Sequence, residues 1–284
     1  MADDPFADQS DEILHLVDLE RYPIHLLDHE AGSEFLRRCR EHMDAHGWCN
    51  FDGFIRPDGL EALAEEANGL LPSAESLKIK RNIYGGKVDA SVPEGDPRRR
   101  EYVHHALQLA DDQVPAGTLI QRLYRSDVLT DFVRRVQGKA ELYRYADEFQ
   151  ALNIVALPPE SWHGWHYDYN ECTVTLLLQA AERGGEFTFI PNVRTEDNEN
   201  REIVDRFLAG DMTHAKTFSR GVGTLTLFRG EYSLHGVTKI EGDQPRITAI
   251  FTYDAQPNRS ASDDINIRIY GPRVEKILAE RRLS

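Results

Sequence analysis

The stretch WHGWHYDYNECTVTLLLQ, residues 162–179, places His166 and Asp168 two positions apart, directly before an alternating run of threonines and apolar residues. The alternation predicts a β-strand, and residues at this spacing on extended backbone point to the same face. An imidazole and a carboxylate on one face supply two of the ligands that a divalent metal needs. The spacing alone is weak evidence, because the chain contains 11 histidines and 48 acidic residues.

The run SLHGVTKI, residues 233–240, offers a third ligand in His235. Two histidines and one carboxylate on one face, with the other coordination positions open, form the ligand set of non-haem Fe(II) oxygenases. The alternative for Asp168 is a carboxylate that only stabilises a turn. We interpret His166, Asp168 and His235 as the candidate metal ligands and the candidate catalytic residues.

The run RITAIFTYD, residues 246–254, begins with an arginine and alternates throughout. Period-two alternation puts one set of residues on the inner face of the strand and leaves Ile247, Ala249 and Phe251 on the other. The inner set is Arg246, Thr248, Ile250 and Thr252. A buried arginine is costly without a carboxylate partner. A guanidinium with a hydroxyl two residues further on suits a ligand carboxylate, so Arg246 and Thr248 are candidate cofactor-binding residues.

The composition predicts an ordinary soluble protein: 284 residues, 40% hydrophobic and 29% charged, with a net charge of -15. A strongly negative chain repels phosphate backbones and anionic membranes, so we expect a small-molecule substrate rather than nucleic acid or a membrane. The three cysteines show no CxxC spacing, and the acidic N-terminus lacks the apolar segment of a signal peptide. We expect a cytoplasmic protein; whether it forms a homo-oligomer stays open.

The first half of the chain is predicted to be mainly helical. Apolar spacing indicates helices at 33–47, 57–71, 100–109 and 119–136, with a strand at about 48–55. The segment 83–96 is rich in Gly, Pro and Asp and is predicted to be a long loop, either a lid over a substrate or a surface excursion.

The second half is predicted to be mainly β-structure. Short runs rich in Val, Ile, Thr, Phe and Leu are separated by Gly, Pro and Asp, which is typical of an antiparallel sandwich or small barrel of the jelly-roll type. A polar insertion at 192–220 contains one short helix, and another helix is predicted at 273–282. No linker is evident, so we predict one α+β domain over 1–284, with a mainly helical part at 1–146, a β core at 147–255 and a C-terminal helix within 256–284.

The combined pattern of HxD, a distal histidine and R-x-[ST] resembles the Fe(II)/2-oxoglutarate-dependent dioxygenases, whose fold is a double-stranded β-helix. The resemblance covers about residues 147–255. The runs GGEFTFIPN, LTLFRGEYSLHGVTKIEG and PRITAIFTYD, together with residues 162–179, are similar to a family of radical halogenases and hydroxylases that act on free amino acids, lysine especially. In its halogenating members glycine replaces the metal carboxylate and leaves room for chloride; the presence of Asp168 here implies hydroxylation.

The resemblance implies three cofactors: Fe(II), 2-oxoglutarate and O2. Fe(II) is expected at His166, Asp168 and His235, and the far carboxylate of 2-oxoglutarate at Arg246 and Thr248. The implied products are hydroxylysine, succinate and CO2. This assignment of substrate rests on analogy with the family.

A free lysine carries two ammonium groups and one carboxylate, so its pocket needs acceptors and a basic donor. Glu148 and His163 are the candidate acceptors, Thr252 shares the inner face with Arg246, and one of the arginines at 98–100 is the candidate partner of the carboxylate. The structural alternatives are a solvated charge for Glu148 and a core histidine for His163. The functional alternatives are a dioxygenase of another small molecule or of a peptidyl residue, and a metal- or 2-oxoglutarate-sensing barrel without turnover.

Overall fold

A computed structural model describes residues 12–170 and 172–283. Its helices are α1 Glu30–His46, α2 Pro57–Leu70, α3 Leu119–Arg125, α4 Asp127–Val136, α5 Arg201–Leu208, α6 Asp263–Tyr270 and α7 Pro272–Arg281. Its strands are β1 Trp48–Phe51, β2 Glu75–Arg81, β3 Tyr102–Leu109, β4 Tyr143–Arg144, β5 Leu152–Leu157, β6 His163–His166, β7 Cys172–Gln179, β8 Arg183–Gly184, β9 Phe187–Ile190, β10 Lys216–Phe218, β11 Leu225–Phe228, β12 Leu234–Val237, β13 Ile240–Glu241 and β14 Arg246–Asp254.

The main strands form one curled antiparallel sheet. Its order is β1-β11-β7-β14-β5-β3-β6-β12-β9-β10, with β2 pairing with β3 and β4 with β14. The strands β1, β11, β7 and β14 form one wall, the strands β6, β12, β9 and β10 form the other, and β5 and β3 join the two. The predicted jelly-roll core with helices added is confirmed.

The two faces of β14 separate the hydrophobic core from the cavity inside the sheet. Ile247, Ala249 and Phe251 are fully buried on the outer face, in one cluster with the phenylalanines of α1 and α4. Phe35 and Phe132 stack there with ring centroids 5.8 Å apart. Burying a side chain of this size contributes about 1.5–3 kcal/mol, so this packing holds the helices against the sheet. The inner set of β14 lines the cavity, as the alternation predicted.

Local signals predicted some of the helix boundaries. Gly47 adopts a left-handed conformation with φ of 78° and ends α1, and Pro57 is the first residue of α2. The predicted helix at 119–136 is interrupted at Ser126, whose hydroxyl accepts a hydrogen bond from the Leu129 amide and starts a new helix, α4.

The predicted helix at 100–109 is wrong. This segment is β3, which pairs with β2 from Tyr102 to Gln108 and also with β5 and β6. Its apolar residues suited a helix equally well, and pairing with distant strands decided the outcome. The first half of the chain therefore contributes a β-hairpin to the sheet as well as helices.

The segment 83–96 contains no helix or strand, as predicted. The Asn82 side chain accepts from the Tyr84 and Gly86 amides and closes its first turn. Tyr84 donates to Glu199, and Asp96 pairs with Arg201, so the loop is held against the segment around α5. Within the described residues, no helix is long and apolar enough to cross a membrane.

Candidate metal centre and its cavity

The pairing of β6 with β12 brings the two candidate histidine ligands together. His166 and His235 are cross-strand partners, with ring centroids 4.2 Å apart. Asp168 follows β6, and its Oδ1 lies 3.6 Å from His166 Nε2 and 3.4 Å from His235 Nε2. One ligand atom from each of the three residues lies within 4.8 Å of the others, so the sequence-predicted set is assembled in space.

Hydrogen bonds to backbone carbonyls orient the two histidines, and a threonine hydroxyl orients the carboxylate. His166 Nδ1 donates to the Gly164 carbonyl and His235 Nδ1 to the Ser233 carbonyl, each at 2.8 Å. This tautomer leaves both Nε2 atoms free to bind a metal. Thr173 Oγ1 donates to Asp168 Oδ2 at 2.6 Å, which turns Oδ1 toward the histidines.

The electrostatics of the cluster suit a cation. Burial holds the pKa of His166 well below its usual value, and the nearby His235 and His163 lower it further, so the imidazole stays neutral. Burial opposes ionisation of Asp168, but His235, His166 and the Thr173 hydroxyl outweigh it and lower the pKa of the carboxyl. Neutral imidazoles and an ionised carboxylate are the protonation states that metal binding requires.

A glycine that sequence reasoning missed makes room for Asp168. A Cβ on Gly230 would lie 1.9 Å from Asp168 Oδ2, far inside contact distance, and the Gly230 carbonyl accepts from the Asp168 amide at 3.2 Å. The only local signal is the RG turn between two predicted strands.

The three candidate metal ligands lie at a cavity of about 200 Å³ inside the sheet. Arg81, Arg220 and Arg246 line it, whereas Asp168 is the only acidic residue among the described lining residues. Since Asp168 faces the metal position, the cavity has an excess of positive charge that anionic ligands would compensate.

Arg246 and Thr248 lie where the alternation predicted them. Both are buried, and Arg246 Nη1 donates to Thr248 Oγ1. Burial lowers the pKa of Arg246 to about 10. No carboxylate in the described part of the chain pairs with this guanidinium, which is the arrangement expected of a site for a ligand carboxylate.

Arg220, in the segment between β10 and β11, is a second arginine that the sequence did not single out. Its Nη1 donates to Thr175 and Thr226 at 3.0 and 2.8 Å, and its guanidinium lies 4.7 Å from the centroid of the Phe187 ring. Its Nε is buried without a partner in the structure. Burial and the neighbouring Arg246 lower the pKa of Arg220 well below its usual value.

Arg81 forms a third basic group with two histidines. Its Nη2 lies 3.3 Å from His104 Nδ1 and 3.2 Å from His163 Nε2. Burial lowers the pKa of both imidazoles and keeps them neutral. His163 lines the cavity, and its hydrogen-bonding contact there is with the cation Arg81; its role as an acceptor for a substrate ammonium stays a prediction.

The prediction that one of the arginines at 98–100 meets a substrate carboxylate is not supported, because none of the three lines the cavity. Arg81, at the end of β2, lines the cavity. The three guanidiniums bond outside the cavity to the Asp96 carboxylate, the Val92 carbonyl and the Leu208 carbonyl.

Of the other two candidate substrate contacts, Thr252 lines the cavity, whereas Glu148 does not. The Glu148 carboxylate is bonded at the surface to both terminal nitrogens of Arg281 on α7. The candidate role of Glu148 is therefore wrong, because β5 begins only at Leu152 and residue 148 precedes the inward-facing alternation.

Comparison with solved structures shows which proteins share this fold. The fold is shared with a 2OG-Fe(II) oxygenase family oxidoreductase from Burkholderia pseudomallei (15% identity, 79% of this chain and 94% of that chain, TM-score 0.51). It is also shared with a Trichoplax adhaerens prolyl hydroxylase bound to a hypoxia inducible factor peptide (13%, 84% and 97%, 0.54). A third relative in fold is the alpha ketoglutarate dependent epimerase SnoN of nogalamycin biosynthesis (15%, 78% and 81%, 0.54).

These likenesses, all at 15% identity or below, show a fold that the chain shares with a 2OG-Fe(II) oxygenase family member and with an alpha ketoglutarate dependent epimerase. Residues 31–270 match the model of the halogenase D family, and the chain belongs to that family. No curated protein sequence matches the chain significantly.

Proposed function

We propose that this enzyme hydroxylates an aliphatic carbon of a free amino acid. The observation that carries the proposal is Asp168, a carboxylate that completes the two-histidine cluster and is oriented by Thr173 and by the space at Gly230. In halogenating relatives glycine replaces this carboxylate, so its presence favours hydroxylation over chlorination.

The residues present fit Fe(II), because two imidazoles and one carboxylate whose pKa is lowered converge from one side. When bound, Fe(II) with 2-oxoglutarate activates O2, so that one oxygen atom enters a C–H bond and the other enters succinate, with release of CO2. The chain's own residues orient the ligands, neutralise carboxylates and exclude bulk water.

The far carboxylate of 2-oxoglutarate is assigned to Arg246 and Thr248, and we add Arg220 to this site. Burial and the neighbouring Arg246 lower the pKa of Arg220, and burial lowers the pKa of Arg246, so a ligand carboxylate near both guanidiniums would stabilise their charged forms. The hydroxyls of Thr175 and Thr226 hold Arg220 in place before the ligand arrives.

The carboxylate of the amino acid is assigned to Arg81, beside His163 and His104. This guanidinium is buried and paired only with neutral imidazole nitrogens among the described residues, so it retains capacity for an anion. L-Lysine is the first substrate to test, because of the family resemblance. The acidic chain and the acid-poor cavity support a small-molecule substrate, and a cytoplasmic location stays part of the proposal.

The experiment is a panel of free L-amino acids incubated with Fe(II), ascorbate, 2-oxoglutarate, chloride and O2, with product masses and succinate measured together. A gain of one oxygen atom coupled to succinate supports the proposal, and both signals should vanish in His235→Ala. A chlorinated product would contradict the inference from Asp168. Succinate without a modified amino acid would indicate another substrate class, and the absence of both signals would favour a sensing barrel.

A further inference from the structure

With increasing distance from Arg81, the cavity wall is first apolar and then polar but uncharged. Ile79 and Leu77 follow Arg81 on the inner face of β2, and Ala106 and Gln108 follow His104 on the inner face of β3. From His104 to Gln108 the strand advances about 13 Å. The end of this wall is closed by the side chains of Gln108, Gln150, Asn153 and Tyr270.

Hydrogen bonds fix the direction of the Gln150 amide. Its Nε2 donates to Asn266 Oδ1 at 2.6 Å, and Asn266 Nδ2 donates to Asp147 Oδ2 at 2.8 Å. Because Gln150 and Asn266 are both buried, water cannot replace the partners in this series of hydrogen bonds. Gln150 lines the cavity, and its Oε1 is an acceptor that has no partner among the described residues.

The amide of Gln108 is oriented in the same way. Its Nε2 donates to Asn153 Oδ1 at 2.9 Å, and the Tyr270 hydroxyl donates to the same oxygen at 2.8 Å. Gln108 Oε1 therefore remains a second carbonyl acceptor with no partner within the described residues. Two neutral acceptors at one end of a cavity indicate a ligand that brings N–H donors.

Charge decides which kind of donor fits. An ammonium would meet only neutral acceptors here, in a cavity where three arginines already outnumber the single described carboxylate, Asp168. A buried cation without a carboxylate partner is strongly disfavoured, whereas an uncharged N–H donor loses little on leaving water if its hydrogen bonds are replaced.

We propose that the substrate is an amino acid whose side chain ends in an uncharged N–H donor, of which a primary carboxamide is the simplest. Gln150 and Gln108 are the residues that select it. This inference rests on the proposed amino-acid hydroxylase function. It makes an amino acid with a side-chain carboxamide, rather than lysine, the preferred substrate of that function.

The test is a binding measurement that does not depend on turnover. Calorimetry without O2, on protein loaded with Mn(II) and 2-oxoglutarate, compares L-glutamine, L-lysine and L-norleucine, which end in a carboxamide, an ammonium and a methyl group. We expect glutamine to bind at least about tenfold more tightly than the other two. Equal or tighter binding of lysine or norleucine, or no binding of any of them, overturns the inference.

The variant Gln150→Glu supplies the missing carboxylate. It should weaken glutamine binding and strengthen lysine binding by about tenfold each, while Gln256→Glu adds the same charge at an exposed position and should change neither. Gln150→Leu should favour norleucine and serves as a second variant if Gln150→Glu fails to fold. An unchanged preference in a folded Gln150 variant would also overturn the inference.

The two proposals fail differently. If lysine is the amino acid bound and hydroxylated, the hydroxylase function stands and the selection by carboxamide is wrong. If glutamine binds selectively but neither it nor any other amino acid gains oxygen, the selection stands and the hydroxylase function is wrong.

Discussion

The substitution Gly230→Ala tests whether the space beside Asp168 is required for metal binding. The new Cβ would lie 1.9 Å from Asp168 Oδ2, 2.7 Å from its Cγ and 3.0 Å from its Cβ. Ordinary contact begins near 3.4 Å, so the carboxylate oxygen has to move by about 1.5 Å. Rotation of the side chain alone does not relieve the clash, because the Asp168 Cβ is itself too close.

A shift of this size is large compared with the roughly 0.2 Å tolerance of metal–ligand distances. Changes in the groups that orient metal ligands typically cost 10–100-fold in affinity, and we expect Gly230→Ala to lie at or beyond the upper end.

The assay is metal-induced stabilisation, measured by denaturant unfolding with Mn(II) at 100 times the wild-type Kd. At this concentration the wild type should gain about 2.7 kcal/mol, falling to about 1.4 kcal/mol for tenfold and about 0.4 kcal/mol for 100-fold weaker binding. Gly69→Ala is the matched control, because nothing lies within 4 Å of its new Cβ. A Gly230→Ala protein that keeps the full stabilisation would refute the role of this space.

The remaining predictions concern the cosubstrate, the surface and pH. Arg246→Gln and Arg220→Gln should each weaken 2-oxoglutarate binding in calorimetry, the former by about 10–100-fold because it loses a charge-assisted bond; unchanged affinity would exclude the residue from the site. Glu148→Gln should leave coupled turnover within about twofold and cost at most about 1 kcal/mol of stability, since only its exposed pair with Arg281 is lost. Burial raises the pKa of Asp111 to about 6. The folded protein favours the neutral carboxyl, so the stability of the fold decreases as pH rises through that value. Asp111→Asn should therefore stabilise the protein by about 1 kcal/mol at pH 8 and less at pH 4, in paired unfolding curves; a constant difference would contradict this.

Local patterns predicted the parts of the site that lie within one strand. Alternation along β14 correctly separated Arg246 and Thr248 from the core-facing Ile247, because a strand turns successive side chains to opposite faces regardless of its neighbours. The spacing of His166 and Asp168 was informative for the same reason.

Residues whose function depends on an unpredicted strand or on packing were missed. Arg81 lies in the hairpin β2–β3. No structure was predicted for β2, and β3 was predicted to be a helix, so the sequence could not show that Arg81 contacts His163. Arg220 follows a short edge strand in a polar insertion, and nothing local distinguishes it from the chain's other arginines. Gly230 matters only because Asp168, distant in sequence, occupies the space that a side chain would need.

The amino-acid sequence alone predicted the two-histidine, one-carboxylate set, the arginine–hydroxyl pair and the jelly-roll class. These depend on periodicity and residue chemistry, which act over a few neighbouring positions. The tertiary structure alone decided that His235 lies opposite His166, that three arginines share one cavity and that Gln150 and Gln108 line the same cavity with their Nε2 atoms already bonded to protein. Register between distant strands and burial of unpaired polar groups arise only when the whole sheet closes, because many contacts contribute to them together.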